Sequence, residues 1–285
     1  MSYDIFTGLL KSFPLPKCSA TSVNFLYDIK HKKFNELRTH YPISDVAGNG
    51  SDIEKAVNLL NWVSANMYHY GQFNNSIELN SLDLLKYSFQ NGNEKGINCV
   101  GLATILTECL LAVGMKARTV FILPCSPYDC DNHCVTHVYI NNLDKWIMLD
   151  PTLNTAMKNE AGEYLSLLEI REHLANQQQI DFSEDANYNN MPWTAETTQE
   201  NMRYFAKNVF YFTTYEMSSF GAETINSRNL IFAPLNYDVK QSEINNIKYR
   251  IKLYGDNPNM QTWLENTRYS DDRHYCSTND FEATP

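Results

Sequence analysis

Residues 96–114 read Gly96-Ile97-Asn98-Cys99-Val100-Gly101-Leu102-Ala103-Thr104-Ile105-Leu106-Thr107-Glu108-Cys109-Leu110-Leu111-Ala112-Val113-Gly114. From Val100 to Val113 the run is too apolar for a helix with one face in water, which predicts a buried helix. Asn98 suits its start, because the side chain can accept a hydrogen bond from a free backbone N–H of the first turn. Gly114 is a natural left-handed stop. Cys99 then stands at a helix N-terminus, where unpaired N–H groups and the macrodipole favour thiolate over thiol. Gly101 and Ala103 leave room for another backbone or a substrate to approach. The Cys99 N–H is a candidate donor to a developing oxyanion.

On the N-terminal side, Ser51 to Tyr70 predicts a helix. Ser51, Asp52 and Glu54 form an acidic start, and Ile53, Ala56, Val57, Leu60 and Val63 recur at helical spacing. Ser81 to Phe89 predicts a shorter helix that stops at Asn91-Gly92-Asn93. On the C-terminal side, Ala117 to Leu123 is rich in β-branched and aromatic residues and predicts a strand. Pro124 to His133 reads as a loop. Val135 to Asn141 and Lys145 to Asp150 predict two strands joined by a hairpin turn, and Pro151 ends the second. Leu165 to Gln177 predicts a helix, and the Asn-rich stretch Asp185 to Trp193 reads as a loop. Beyond it, Asn208 to Tyr215, Asn229 to Ala233 and Ile247 to Leu253 are expected to be strands. The expected organisation is a single domain over residues 1–285, with a core at about 52–180 and a C-terminal extension at 181–285 that completes or covers it.

Composition sets bounds. The chain has 285 residues, 43% of them apolar and 13% aromatic, enough for a sizeable core. The net charge is -10 and the pI about 5.2. The densest basic stretch is Lys30-His31-Lys32-Lys33, too short to suggest a nucleic-acid partner. Neither a signal peptide nor a run of membrane-spanning length is visible, so a cytoplasmic protein with no membrane partner is expected. Seven cysteines, an odd number with no leader, argue against a disulfide framework.

A nucleophilic thiol needs a base, and the base needs a group to orient it. The hairpin supplies a candidate pair. A two-residue loop at Leu143-Asp144 pairs Asn142 with Lys145, Asn141 with Trp146, Tyr139 with Met148 and His137 with Asp150. Opposed residues share a sheet face with Cβ atoms roughly 4.5–5.5 Å apart. A four-residue loop keeps that register, and a three-residue loop turns Asp150 to the other face. The favoured pairing predicts a triad of Cys99, His137 and Asp150. His133 is the rival base, but it is expected in the loop, with no carboxylate opposite.

Four blocks in order carry a resemblance: Asn98-Cys99-Val100-Gly101-Leu102-Ala103, Gly114-Met115-Lys116-Ala117-Arg118, His137-Val138-Tyr139, and Trp146-Ile147-Met148-Leu149-Asp150-Pro151-Thr152. Together they resemble the transglutaminase-like superfamily over about residues 52–155. The resemblance implies a papain-like α+β core, with helices packed on an antiparallel sheet and the cysteine on the central helix. It implies a Cys-His-Asp triad at Cys99, His137 and Asp150. It also implies a thioester acyl-enzyme formed from an amide and passed to water or an amine, with a peptide or protein as substrate. Hydrolysis is the favoured outcome, because an amine needs a second binding site that the sequence does not display. A catalytically inactive binding or scaffold domain is the alternative; relatives of that kind usually lack a triad member.

Animal members stabilise the oxyanion with an upstream tryptophan. Trp62 lies upstream here but inside the predicted helix, and Tyr68-His69-Tyr70-Gly71 is a second possible source of a donor. His69 between two tyrosines reads more readily as packing. No calcium-loop signature is present, so neither calcium activation nor any other cofactor is expected. Cys125, Cys130, His133 and Cys134 are soft ligands, but on one loop without a second knuckle they read as an incidental thiol-bearing loop rather than a zinc site. Cys109, inside the apolar helix, reads as a small buried hydrophobe.

Overall fold

The computed structural model describes residues 4–18, 22–74, 76–221, 228–269 and 274–285. Its centre is a mixed, mostly antiparallel sheet of seven strands. These are β1 (Ala117–Leu123), β2 (His133–Ile140), β3 (Lys145–Asp150), β4 (Thr155–Ala156), β5 (Tyr211–Tyr215), β6 (Asn229–Phe232) and β7 (His274–Tyr275). The spatial order is β7-β6-β5-β1-β2-β3-β4, and only the β6–β7 pair is parallel. The strands contributed by residues beyond 210 therefore continue the same sheet that begins at Ala117.

Helices cover both faces. Before the sheet come α1 (Asp4–Ser12), α2 (Lys33–His40), α3 (Ile43–Ala47), α4 (Asp52–Asn66), α5 (Ser81–Asn91) and α6 (Cys99–Ala112). After β4 come α7 (Leu167–Asn176), α8 (Ala195–Asn208), α9 (Val239–Tyr254), α10 (Pro258–Tyr269) and α11 (Thr278–Phe281). One core joins α2 through α6 to Ala117, Val138, Ile140, Ile147 and Leu149 of the sheet. The other joins α1, α7 and α8 to Val120, Ile122, Val135 and Met148. The alternation of strand residues between the two cores follows the period of two that a strand imposes. Both faces being covered, β2 is buried along its whole length.

Local chemistry explains the helix ends. Ser51 and Glu54 form a reciprocal capping box at α4, and Ser166 and Glu169 do so at α7. The Asn98 side chain accepts from the Gly101 N–H at 3.1 Å and caps α6. α6 is enclosed by other helices on one side and the sheet on the other, with Gly101 through Ala112 all buried.

Three expectations are corrected. Ile247 to Leu253 is not a strand but part of α9. Ile244, Ile247 and Ile251 recur at helical spacing, and Asp238 caps the helix start by accepting from Gln241 N–H. The predicted loop at 185–193 contains a hairpin, in which Asn187 pairs with Pro192 and Tyr188 with Met191. Its turn residues Asn189 and Asn190 have φ of 52° and 63°, the left-handed geometry of a tight two-residue turn that asparagine tolerates. The hairpin between β2 and β3 closes on a different pair. Residues Asn141–Leu143 form a 3₁₀ turn, Asp144 is left-handed, and Ile140 pairs with Lys145. His137 therefore stands opposite Met148, two residues away from the expected Asp150.

Candidate active site

Cys99 is the first residue of α6 and is partly exposed at the floor of an open cleft. The cleft has a volume of about 1200 Å³. Its walls come from His69 and Gln72, from the 126–133 segment, from Tyr204 on α8, and from Tyr254, Met260 and Trp263 at α9 and α10.

The histidine that faces Cys99 is His133, the first residue of β2. Its Nε2 lies 2.7 Å from Oδ2 of Asp150 at the end of β3, and the Cys99 side chain is close enough to act on the ring's protonation. An ionised carboxylate only accepts, so Nε2 carries a proton and Nδ1 is left for the sulfur. Both His133 and Asp150 are buried, at 3% and 0% exposure. Burial opposes a charge on His133. The Asp150 carboxylate and then Cys99 outweigh it and push the imidazole pKa up to about 10. Asp150 is itself fixed: its Oδ1 accepts from the N–H groups of Thr152 at 2.9 Å and Leu153 at 3.3 Å.

The His133 ring is clamped from α8. Tyr204 and Phe205 meet it edge-on at centroid distances of 5.5 and 6.1 Å. The Tyr204 hydroxyl donates to Asp131 Oδ1 and to the Asn132 carbonyl, both at 3.2 Å. Lys207 holds the same loop through Asp129 at 3.0 Å and Asp131 at 3.4 Å.

The structure thus brings Cys99 and Asp150 to one place and does not bring His137 with them. His137 is buried under Trp146 and Phe281, and its Nδ1 is 3.1 Å from Arg118 Nη2. Burial and the neighbouring guanidinium hold its pKa well below the usual histidine range. Trp62 packs against Phe89, 6.3 Å between ring centroids, and does not line the cleft. His69 does line it. The Cys125–Cys134 loop scatters its sulfurs: Cys130 lines the cleft and Cys134 is buried in the sheet. Among the described residues, no three His, Cys, Asp or Glu side chains are gathered as metal ligands. No helix among them is long and apolar enough to cross a membrane.

In the register expected from the sequence only His137 stands directly opposite a carboxylate, which hides His133. His133 reaches Asp150 diagonally, since a strand places residues two apart on one face. Tyr204, Tyr188 and Asn189 carried no signal in the sequence, because their roles depend on how the C-terminal half folds back.

Comparison with curated proteins and with solved structures gives no match to the chain. Residues 43–151, from the first residue of α3 to one residue past β3, match the family model of the transglutaminase-like superfamily, whose members are usually enzymes.

Proposed function

We propose that the protein is a cysteine-dependent amide-bond hydrolase or acyltransferase, with Cys99 as nucleophile, His133 as acid and base, and Asp150 as the group that orients and charges His133. The observation that carries this reading is the buried 2.7 Å contact between His133 and Asp150, with Cys99 beside the same ring in the cleft.

The raised pKa of His133 favours an imidazolium beside the Cys99 sulfur. The thiolate attacks the amide carbonyl, forming a C–S bond and placing the carbonyl electron pair on oxygen. When the oxyanion collapses, the C–N bond breaks and the amine leaves with the His133 proton. A water, deprotonated by His133, then attacks the thioester, and the carboxylate leaves as the Cys99 sulfur departs. An amine in place of that water gives transfer. The open, aromatic-walled cleft suits a peptide or protein segment as the acyl donor.

Labelling with iodoacetamide, followed by peptide mapping, tests the assignment. Cys99 is expected to react at least tenfold faster than exposed Cys18, and His133→Ala to abolish that advantage. A Cys99 no more reactive than Cys18 overturns the enzyme reading and leaves a binding domain. A peptide-library digest with and without an added primary amine then separates hydrolysis from transfer.

A further inference from the structure

An acyl transfer at Cys99 needs donors aimed at the oxyanion, and the Cys99 N–H at the open first turn of α6 supplies only one. Accepting the Cys99 assignment above, we infer that His69 is the second donor, acting as a neutral imidazole through its Nε2–H, and that the 187–192 hairpin holds it in that role.

Three observations converge on His69. The first is its place beside Cys99. Ile97 N–H donates to the Tyr68 carbonyl at 2.9 Å, and Tyr70 N–H donates to the Ile97 carbonyl at 2.8 Å. His69 thus forms a bridge with Ile97, two residues before Cys99, and shares the cleft wall with Cys99 and His133.

The second is its anchoring. Asn189, in the left-handed turn of the hairpin, accepts from His69 N–H at 2.7 Å and donates to the His69 carbonyl at 3.2 Å. Asn190 donates to the Ala65 carbonyl at 3.2 Å. One side-chain amide therefore reads both backbone groups of His69, as a neighbouring strand would.

The third is the ring. His69 Nδ1 is 2.9 Å from the Tyr188 hydroxyl, and the two rings meet edge-on at 5.5 Å. That hydroxyl has no other hydrogen-bond partner among the described residues. A phenol donates more readily than it accepts, so Tyr188 donates to Nδ1 and the His69 proton sits on Nε2. His69 lines both the cleft and a smaller pocket, on whose wall Tyr188 lies. With Nδ1 turned to Tyr188, Nε2–H is the polar group left for the cleft. Burial, and then the nearby His133, hold the His69 pKa down to about 4, so the ring stays neutral while His133 is charged. A neutral imidazole donor does not compete with His133 for the thiol proton.

Alkylation and acylation separate this role from a structural one. Iodoacetamide reacts with the thiolate and generates no oxyanion, whereas p-nitrophenyl acetate acylates through one. The expected result for His69→Ala is an acylation rate about 100-fold lower, with alkylation of Cys99 changed less than threefold. His69→Gln, which keeps an N–H donor, recovers at least part of the loss. Tyr188→Phe lies between, because the proton is no longer held on Nε2. Equal loss of both reactions in His69→Ala, or no loss of acylation, overturns the inference while leaving the Cys99 assignment intact. A wild-type Cys99 that is not alkylated overturns both.

Discussion

Arg118 Nη2 lies 3.1 Å from Nδ1 of His137 on the neighbouring strand, with both side chains buried. The guanidinium is sandwiched among Phe25, Trp146 and Phe281, 4.1–4.4 Å from each ring centroid, and also reaches the Phe281 carbonyl and the Tyr27 hydroxyl. A guanidinium has only donors, so Nδ1 of His137 must accept. His137 is therefore a neutral structural acceptor that helps satisfy a buried cation. His137→Ala is expected to destabilise the fold by about 3 kcal/mol, from an uncompensated buried charge and a lost stack. Cys99 in the folded fraction stays reactive within about threefold. His133→Ala behaves the other way in the labelling assay, with a loss of at least tenfold. Urea denaturation with timed alkylation of each variant checks both. Loss of Cys99 reactivity in folded His137→Ala would return the base to His137.

Asp150→Asn separates charge from shape. Asn can keep its oxygen on the Thr152 and Leu153 N–H groups, as Oδ1 of Asp150 does now. Its NH₂ group then faces His133 Nε2, where a carboxylate stood at 2.7 Å. Two donors cannot face each other, so Nε2 becomes the acceptor and Nδ1 carries the ring proton, which leaves no ring nitrogen free to take the proton from the sulfur. Acylation of Cys99 is expected to fall by about 100-fold or more while the fold survives. The rate of p-nitrophenol release, alongside a near-ultraviolet circular dichroism spectrum, reads the two effects separately. An acylation rate within threefold of wild type removes Asp150 from the site.

The difference between His133 and His137 shows where the sequence stops being legible. The elements around Cys99 could be read because their determinants are local: Asn98 caps, Gly114 stops, and an all-apolar run between them has to be buried. The identity of the two strands that meet at Asp150 could be read as well. Their register could not. A slip of two residues keeps every side chain on its own face, so the apolar pattern is blind to it. Only the 3₁₀ turn at Asn141–Leu143 and the left-handed Asp144 set it, and no residue there demands that turn. The same limit hid the hold of the 187–192 hairpin on His69, which joins residues 120 apart in sequence. In α9 composition and spacing disagree: its isoleucines suit a strand, while their spacing is helical.

Glu282 gives the C-terminal segment a dependence on pH. Burial pushes its carboxyl pKa up to about 7, against partial relief from Ser166, the Leu168 N–H at 3.2 Å and Arg118. The folded state thus holds a proton that the unfolded chain, with its carboxyl near 4.5, has lost. Between those two values stability falls as pH rises. The residues around Glu282 are tied down by Trp146 Nε1 on the Ala283 carbonyl at 3.0 Å and by Lys116 Nζ on the Pro285 carbonyl at 2.7 Å. Amide protection across 278–285, corrected for intrinsic exchange, is expected to be higher at pH 5 than at pH 7.5. Glu282→Gln, neutral throughout, should flatten the difference. A wild-type segment equally protected at both values would show that burial of Glu282 is not coupled to docking.

Gly96 is the point where sequence economy and site geometry meet. A Cβ built there would lie 2.3 Å from the Tyr68 carbonyl oxygen and 2.9 Å from Tyr70 Cβ, and backbone atoms cannot yield cheaply. The glycine is what lets Ile97 take its two hydrogen bonds from the 68–70 segment, which fixes the distance between His69 and the start of α6. Gly96→Ala must part the two segments. The expected cost is about 3 kcal/mol, from overpacking and the two lost bonds. Acylation should fall more than alkylation, since the oxyanion donors separate while His133 stays on Asp150. Gly8→Ala is the control: nothing lies within 4 Å of its added Cβ on α1, and relief of glycine's backbone entropy should stabilise by about 0.5–1 kcal/mol. Urea midpoints of the two variants, compared with their ratios of acylation to alkylation, test the argument. A Gly96→Ala protein as stable as wild type, with an unchanged ratio, would mean that the contact between Ile97 and Tyr68–Tyr70 does not set the spacing of the site.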